Sequence, residues 1–464
     1  DAVWAEPDPD PANPGGWHLM VAIADVSWYV RPGDSLDREA FKRGNSVYFP
    51  DRVVPMLPEA LSNGWCSLNP AEDRPCLAVE VWLSSDGAKR RHRFLRGLMR
   101  SAARLTYTEA QAARDAGHPG PSGVIPALYG AWAALAAARK RRGVLELDLP
   151  ERKVVLDAAG HVAEIVTRER FDSHRLIEDF MICANVCAAE TLETLGQPCM
   201  YRVHDLPSDE KLDGLRAVLG SLDLRLPKGQ RVKAEMFNRI LEAVAGTAQA
   251  GLVNEVVLRA QAQAAYHPEN IGHFGLGLAR YAHFTSPIRR YADLLVHRAL
   301  VAGLGLGEGG LPPDAAFAFA DWADHISATE RRAAAAEREA VDRIVTLYLA
   351  DRVGARFPAK VSGVTRFGLF VTLEGTGADG LVPVGSLPAD FYDHDEARHC
   401  LVGRKSRRAF TLGQRLEVEL REANTVTGSM VFGLAGEAGR APGRTPPGGG
   451  GRGGPRRGRF PKRG

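Results

Sequence analysis

The sequence predicts an α+β domain, then a small all-β barrel, then a disordered basic tail. Three observations predict this. Strand-like runs dominate the first 107 residues and helical runs follow them, an order that suggests α+β rather than a doubly wound sheet. At about residue 354 the pattern changes to alternating apolar and polar residues broken by glycine-containing turns. From residue 438 the chain is Gly, Pro and Arg with a single aromatic, a composition that builds no core.

The elements follow in order. Residues 1–30 read as a strand, an acidic Pro-rich loop and a second strand, "WHLMVAIADVSWYV". "SVYFP" and "VVPMLPEALSNGWCSLNP" are turn-rich, and "CLAVEVWLSS" alternates as a strand should. Helices are expected from about 108, Ala-rich at 126–142. "VLELDLP" and "KVVLDAAGHVAEIVTRER" read as further strands with a hairpin. Helices then cover about 172–195, 207–245 and the long run 315–352. Five short strands between 354 and 437 fit an OB-fold barrel, which binds single-stranded nucleic acid by stacking bases on exposed aromatics. Phe367 and Phe370 are candidates for that role. Three apart on a strand, they face opposite sides unless a bulge at Gly368 re-aims one, and one of them fits a core position equally well.

A length of 464 residues with 45% hydrophobic and 25% charged side chains fits a globular chain of two or three domains. No apolar run is expected to reach the roughly 18–20 residues that span a bilayer. A chain that opens on Asp1 rather than Met is expected to be a piece of a longer one. The six cysteines, with Cys183 and Cys187 four apart, lack zinc-type spacing and read as reduced, mostly buried thiols in a cytoplasmic protein. Net charge is +3, but residues 438–464 hold eight Arg or Lys and no acid. The preceding part is therefore slightly acidic, while the tail suits non-specific nucleic-acid binding, or serves only to solubilise.

"HFTSPIRRYADLLVHRAL", residues 283–300, reads as a helix start: Thr285 or Ser286 as N-cap, Pro287 at the first helical position, and Arg289 and Arg290 in the first turn. Cations at a helix N-terminus cost about 0.3–1 kcal/mol each. An anion bound there removes the cost, and a guanidinium clamps phosphate with two parallel hydrogen bonds. The alternative is that both arginines pair with acids, Asp293 among them.

Several long segments, "VAIADVSWYVRPGDSLDREAFKRGNSVYFPDRVVPMLPEALSNGWCSLNP", "ARLTYTEA", "HRLIEDFMICAN", "MYRVHD" and "HFGLGLARYAHFTSPIRRYADLLVHR", together resemble the RNB catalytic domain of the ribonuclease II / ribonuclease R family. The barrel resembles the S1 RNA-binding domain that follows it, and "DGLVPVGSLPADFYDHDEARHCLVG" with the basic tail leans towards ribonuclease R. The resemblance divides the chain at 1–350, 354–437 and 438–464. It implies hydrolysis of single-stranded RNA from its 3′ end to nucleoside 5′-monophosphates, with magnesium (Mg2+) and no organic cofactor. A monomer with no membrane partner is expected.

Two divalent ions about 3.5–4 Å apart, held by carboxylates, suit that chemistry. The family's cluster reads Asp, five residues, Asp, one residue, Asp-Asp. "DAV" at 1–3 matches its end, which makes Asp1 the metal ligand and catalytic aspartate this chain supplies. With one carboxylate of four, weak magnesium binding and slow or absent cleavage are expected, leaving an RNA-binding protein as the alternative.

The resemblance also assigns Arg289 to the phosphate near the scissile bond, with Arg290 its neighbour. Tyr107 would pack on the terminal nucleotide, and Tyr48 and Tyr201 would be two jaws of an aromatic clamp. Without the resemblance, all three tyrosines read as core residues. A glutamate of the long helix would contact the terminal nucleotide; Glu337 and Glu339 both fit, and Glu339 is preferred. Pro383 stands where the S1 motif often has histidine, which removes a ring and a backbone donor. The three glycines of "GHFGLGL" read as backbone packing.

Overall fold

The computed structural model describes residues 1–149, 152–158, 162–247, 249–396 and 398–436. The tail from 438 onward, with its expected disorder, lies outside them.

The first domain is built on an antiparallel sheet. Strands β1 (Ala2–Pro7) and β2 (Trp17–Ala24) pair along their length. The second strand is shorter than the pattern suggests, because the Asp25 carboxylate accepts the Trp28 N–H and caps the short helix α1 (Val26–Tyr29). Helix α2 (Ser35–Arg43) and the small hairpin β3 (Val47–Tyr48) and β4 (Val53–Val54) follow. The long strands β5 (Asp73–Leu83) and β6 (Lys89–Arg100) complete a sheet of order β1-β2-β5-β6. Leu19, Val21, Ile23, Leu77, Val79 and Val81 bury one face, as the period-2 pattern requires.

Helices α3 (Tyr107–Asp115) and α4 (Ile125–Arg142) come next. By length and composition, Pro121–Arg142 is apolar enough to cross a bilayer, contrary to expectation. Here it is a helix of the folded domain, with Ile125, Leu128 and Ala131 buried in its core.

Residues 144–149 form no strand. Their N–H groups bond to the Gly275 carbonyl and to the Asn238 and Asn254 side chains instead of to a strand partner. Strands β7 (Arg152–Leu156) and β8 (Val162–Thr167) make the expected hairpin. Helix α5 (Asp172–Thr194) and strand β9 (Tyr201–Val203) lead into three helices, α6 (Asp209–Gly220), α7 (Ala234–Val244) and α8 (Ala250–Ala260). These three share their own core around Leu219, Phe237 and Val257. After strand β10 (Ala265–His267), paired with β9, the "GHFGLGL" segment is backbone packing: a side chain at Gly275 would meet His204 at 2.9 Å.

Helix α9 (Tyr291–Gly303) is the centre of the domain, buried continuously from Tyr291 to Val301. Its Arg298 is fully buried and donates to Asp37 and the Val30 carbonyl, both at 2.8 Å. Removing one partner of such a buried pair costs about 3–5 kcal/mol.

Helix α10 (Phe319–Ala350) spans 32 residues and packs Val345 and Leu349 into the core of the barrel. That barrel closes as β11 (Arg356–Thr365), β12 (Gly368–Leu373), β13 (Asp379–Pro383), β18 (Ser429–Leu434) and β17 (Arg415–Asn424). A small sheet of β14 (Tyr392–Asp395), β15 (Cys400–Gly403) and β16 (Ala409–Thr411) lies between β13 and β17 in the chain, beyond the five strands expected.

All six cysteines are free thiols, and all but Cys183 are buried. Burial, then the Asp25 charge, pushes the Cys66 thiol up to about 12.

Candidate nucleic-acid interface

The structure corrects the expected helix start. Helix α9 begins at Tyr291, not at Pro287, and Arg290 is its extended N-cap. The reason is long-range pairing. The Ser46 N–H donates to the Arg289 carbonyl at 3.0 Å, and the Tyr291 N–H donates to the Gly44 carbonyl at 2.9 Å. Residues 285–290 are therefore a loop zipped to the segment that carries Tyr48.

From the other side, Asn185 accepts the Phe284 N–H at 2.8 Å, and the His297 ring bonds the Phe284 carbonyl at 2.7 Å. Fully buried Asp293 accepts the Ser286 N–H at 2.7 Å and two Arg290 N–H groups at 2.8 Å. Burial works against the Arg290 charge, but the Asp293 carboxylate more than offsets it and raises the guanidinium's pKa. Arg290 is thus an ion-pair partner, as the acid-pairing alternative has it, and not a free phosphate ligand.

Arg289 is exposed and makes no side-chain ion pair or hydrogen bond among the described residues. It lines a cavity of about 260 Å3 together with Asp1, Tyr48, Ser67 and Thr285. A larger cavity, about 550 Å3, adjoins it through Asp1, Ser67 and Leu68 and contains Tyr107 and Arg104. Behind the loop, burial and then the Arg290 and Arg202 charges push the His283 imidazole well below its ordinary value. His283 is neutral at pH 7, so guanidinium supplies the positive charge here.

The structure thus brings Asp1, Tyr48, Arg289 and Tyr107 to one place. Tyr48 is 46% exposed, and its N–H donates to Glu337 at 2.7 Å. Tyr107 opens α3 behind a Thr106/Glu109 capping box and stacks on His174 at 4.0 Å.

Two expected residues stand apart. Tyr201 is 7% exposed and belongs to the core, where burial and then Cys199 and Glu193 raise its hydroxyl pKa. It presents no open face to a base. Glu339 is exposed and lies 4.0 Å from Arg343 one helical turn on, whereas Glu337 accepts the Tyr48 N–H.

On the barrel, Phe367 and Phe370 are both exposed, and neither enters the core. The bulge lies not at Gly368 but in β11, between Val361 and Gly363, with Phe370 opposite Gly363. Gly368 has φ +147°, and a side chain there would meet the Val382 carbonyl at 2.2 Å, so the tight turn beneath Phe367 requires glycine.

The RNB domain profile matches residues 1–305, two thirds of the chain. The chain belongs to the RNB family. The S1 RNA binding domain profile matches residues 350–434, so an RNB domain is followed by an S1 barrel. The chain is 41% identical to Ribonuclease R of Escherichia coli (strain K12) over 448 residues, covering 94% of this chain and 55% of the relative. It is 40% identical to Ribonuclease R of Aquifex aeolicus over 424 residues, covering 90% and 59%. The chain thus spans about half the length of the curated relatives it matches. Among solved structures, Mycoplasma genitalium RNase R in complex with ribose methylated single-stranded RNA superposes with a TM-score of 0.87 at 29% identity, covering 93% of this chain and 68% of that one.

RNB exoribonucleases are metal-dependent hydrolases. Among the described residues, no grouping of three or more His, Cys, Asp or Glu could hold an ion, and the two cavities contain one carboxylate, Asp1. The residues present fall short of a metal site. What they supply is a free guanidinium and two exposed aromatic rings.

Proposed function

We propose that this chain is the RNB–S1 part of a hydrolytic 3′-to-5′ exoribonuclease. It acts processively on single-stranded RNA and releases nucleoside 5′-monophosphates with magnesium. The observation that carries this reading is the unpaired Arg289 guanidinium in one cleft with Tyr48 and Asp1. A guanidinium in that position stabilises charge that develops on a phosphodiester during cleavage. Tyr48 and Tyr107 stack on bases without reading them, because every base has a π-face, and this suits an enzyme that accepts any nucleotide. Phe367 and Phe370 extend the same contact over the S1 barrel. The domains divide at 1–350, 354–437 and 438–464, and the protein works as a cytoplasmic monomer; six free thiols support a reducing compartment.

A second reading, RNA binding without cleavage, is favoured for this chain by the single carboxylate in the cleft. Incubating it with 5′-labelled single-stranded RNA, in magnesium or in EDTA, separates the two. Stepwise, EDTA-sensitive shortening from the 3′ end is the expected result for the enzyme. RNA that is bound but left intact supports the second reading, and failure to bind RNA overturns both.

A further inference from the structure

A third cavity, of about 270 Å3, shares no lining residue with the two of the cleft. It lies between the C-terminal end of α4, the middle of α5 and the turn that joins β5 to β6. Its size is close to the lower end of small-molecule sites, about 300 Å3. The walls combine one thiol, Cys183, with three cations, Lys89, Arg139 and Arg142, and one acid, Asp179.

Two of the cations are matched. Lys89 pairs with Glu190, and Arg139 donates to Asp179 at 3.0 Å and to Glu178 at 3.4 Å. Arg142 is not matched. It is partly buried, its Nε donates to the Leu276 carbonyl at 2.9 Å, and it has no acid partner among the described residues. Asp179, whose charge reaches it, is already taken by Arg139 and by the Trp132 ring N–H at 3.0 Å. Burial therefore pulls the Arg142 guanidinium below its ordinary value. A partly buried cation without a counter-charge favours an anion beside it.

Cys183 is the one cysteine of the six that is not buried. The Cys187 thiol, one helical turn on, donates to it; this outweighs burial and, with the Lys89 and Arg142 charges, lowers the Cys183 pKa. The other five thiols are all raised.

We propose that Cys183 is a thiol-exchange site that takes up an anionic low-molecular-weight thiol from its disulfide, with a carboxylate of the adduct on Arg142. The Cys183 sulfur attacks one sulfur of the disulfide. A new S–S bond to Cys183 forms, the original S–S bond breaks, and the departing thiolate takes up a proton in place of the one Cys183 gives up. Cys183 is oxidised and the departing sulfur is reduced, so the disulfide is the only oxidant required. Cys187 does not displace the adduct. Residues four apart on a helix hold their Cβ atoms about 5–6 Å apart, whereas a disulfide needs about 3.5–4.5 Å.

The test incubates the folded chain with oxidised glutathione, which carries free carboxylates, or with the uncharged hydroxyethyl disulfide. Adducts are followed by intact mass and peptide mapping. Each rate is divided by that of an uncharged cysteine peptide with the same reagent, which removes the reagents' own reactivity. The expected result is one adduct, at Cys183, with the anionic reagent favoured roughly tenfold. Arg142→Ala should abolish that preference and leave the rate with the uncharged reagent unchanged; Arg142→Lys should keep most of it. A loosened fold would instead raise both rates and label the buried cysteines, so the ratio reads charge and not unfolding. Cys183→Ser should take up nothing. Adducts at other cysteines of the folded chain, no adduct, a Cys183–Cys187 disulfide, or equal normalised rates for the two reagents would each overturn the proposal.

Discussion

Glu337 accepts the backbone N–H of Tyr48 at 2.7 Å, joining the long helix α10 to the aromatic edge of the cleft across 289 residues of sequence. Removing the acceptor frees the Tyr48 segment. Glu337→Ala should weaken RNA binding by about 1 kcal/mol, roughly fivefold, whereas Glu337→Gln keeps a carbonyl acceptor and most of the affinity. Glu339→Ala, one pair of positions along on the solvated face, should change nothing. Fluorescence anisotropy with labelled RNA distinguishes them; equal losses at both positions would show that the hydrogen bond is not what matters.

The adjacent arginines should separate cleanly. Arg289→Ala should leave thermal stability within about 0.5 kcal/mol of the parent, yet cut RNA turnover roughly 100-fold in a catalytically competent form. Arg290→Ala strands the buried Asp293 carboxylate and should cost about 3–5 kcal/mol in stability. Urea unfolding and a turnover assay on the same two variants read both numbers.

The tyrosines divide in the same way. Tyr48→Ala and Tyr107→Ala should each lose about 1–3 kcal/mol of RNA affinity with little effect on unfolding. Tyr201→Ala opens a core cavity and should cost about 3–5 kcal/mol of stability instead. A Tyr201→Ala chain that unfolds normally but no longer binds RNA would restore Tyr201 to the clamp.

What the sequence made legible was chiefly local. The barrel strands were readable because period-2 alternation and glycine turns are properties of short segments. Tyr48, Tyr107 and Arg289 could be singled out because the segments that carry them are long and irregular, whereas Asp1 was singled out by the three residues "DAV" alone. The start of α9 was not, since Ser-Pro signals a cap at 286–287 while the pairing of Ser46 and Gly44 with residues 289 and 291 decides the outcome. Glu337 and Glu339 differ by two positions, which puts them on different faces of a helix, and only the packing of α10 against β3 chooses between them. Tyr201 sits on a three-residue strand packed in the same core as residues distant in sequence, such as Tyr266 and Phe284.

Acid sensitivity should also be traceable to a histidine. Burial, and then the Lys89 charge, pushes His92 down to about 4 from 6.5. The folded protein keeps this ring neutral while the unfolded chain takes up a proton, so its contribution is complete above pH 6.5 and is lost as pH falls towards 4. The stability advantage of the unaltered chain over His92→Gln should therefore shrink between pH 7 and pH 5 in urea titrations. A constant difference would mean that His92 protonates equally in both states.

The most direct test of the account compares binding of a linear single-stranded RNA with a circular RNA of the same sequence, in the unaltered chain and in Arg289→Ala. A cleft built around a strand end predicts tighter binding of the linear form, and loss of that preference in Arg289→Ala while barrel-mediated binding persists. Equal affinity for linear and circular RNA, unaffected by the substitution, would contradict a 3′-end site at Asp1, Tyr48 and Arg289.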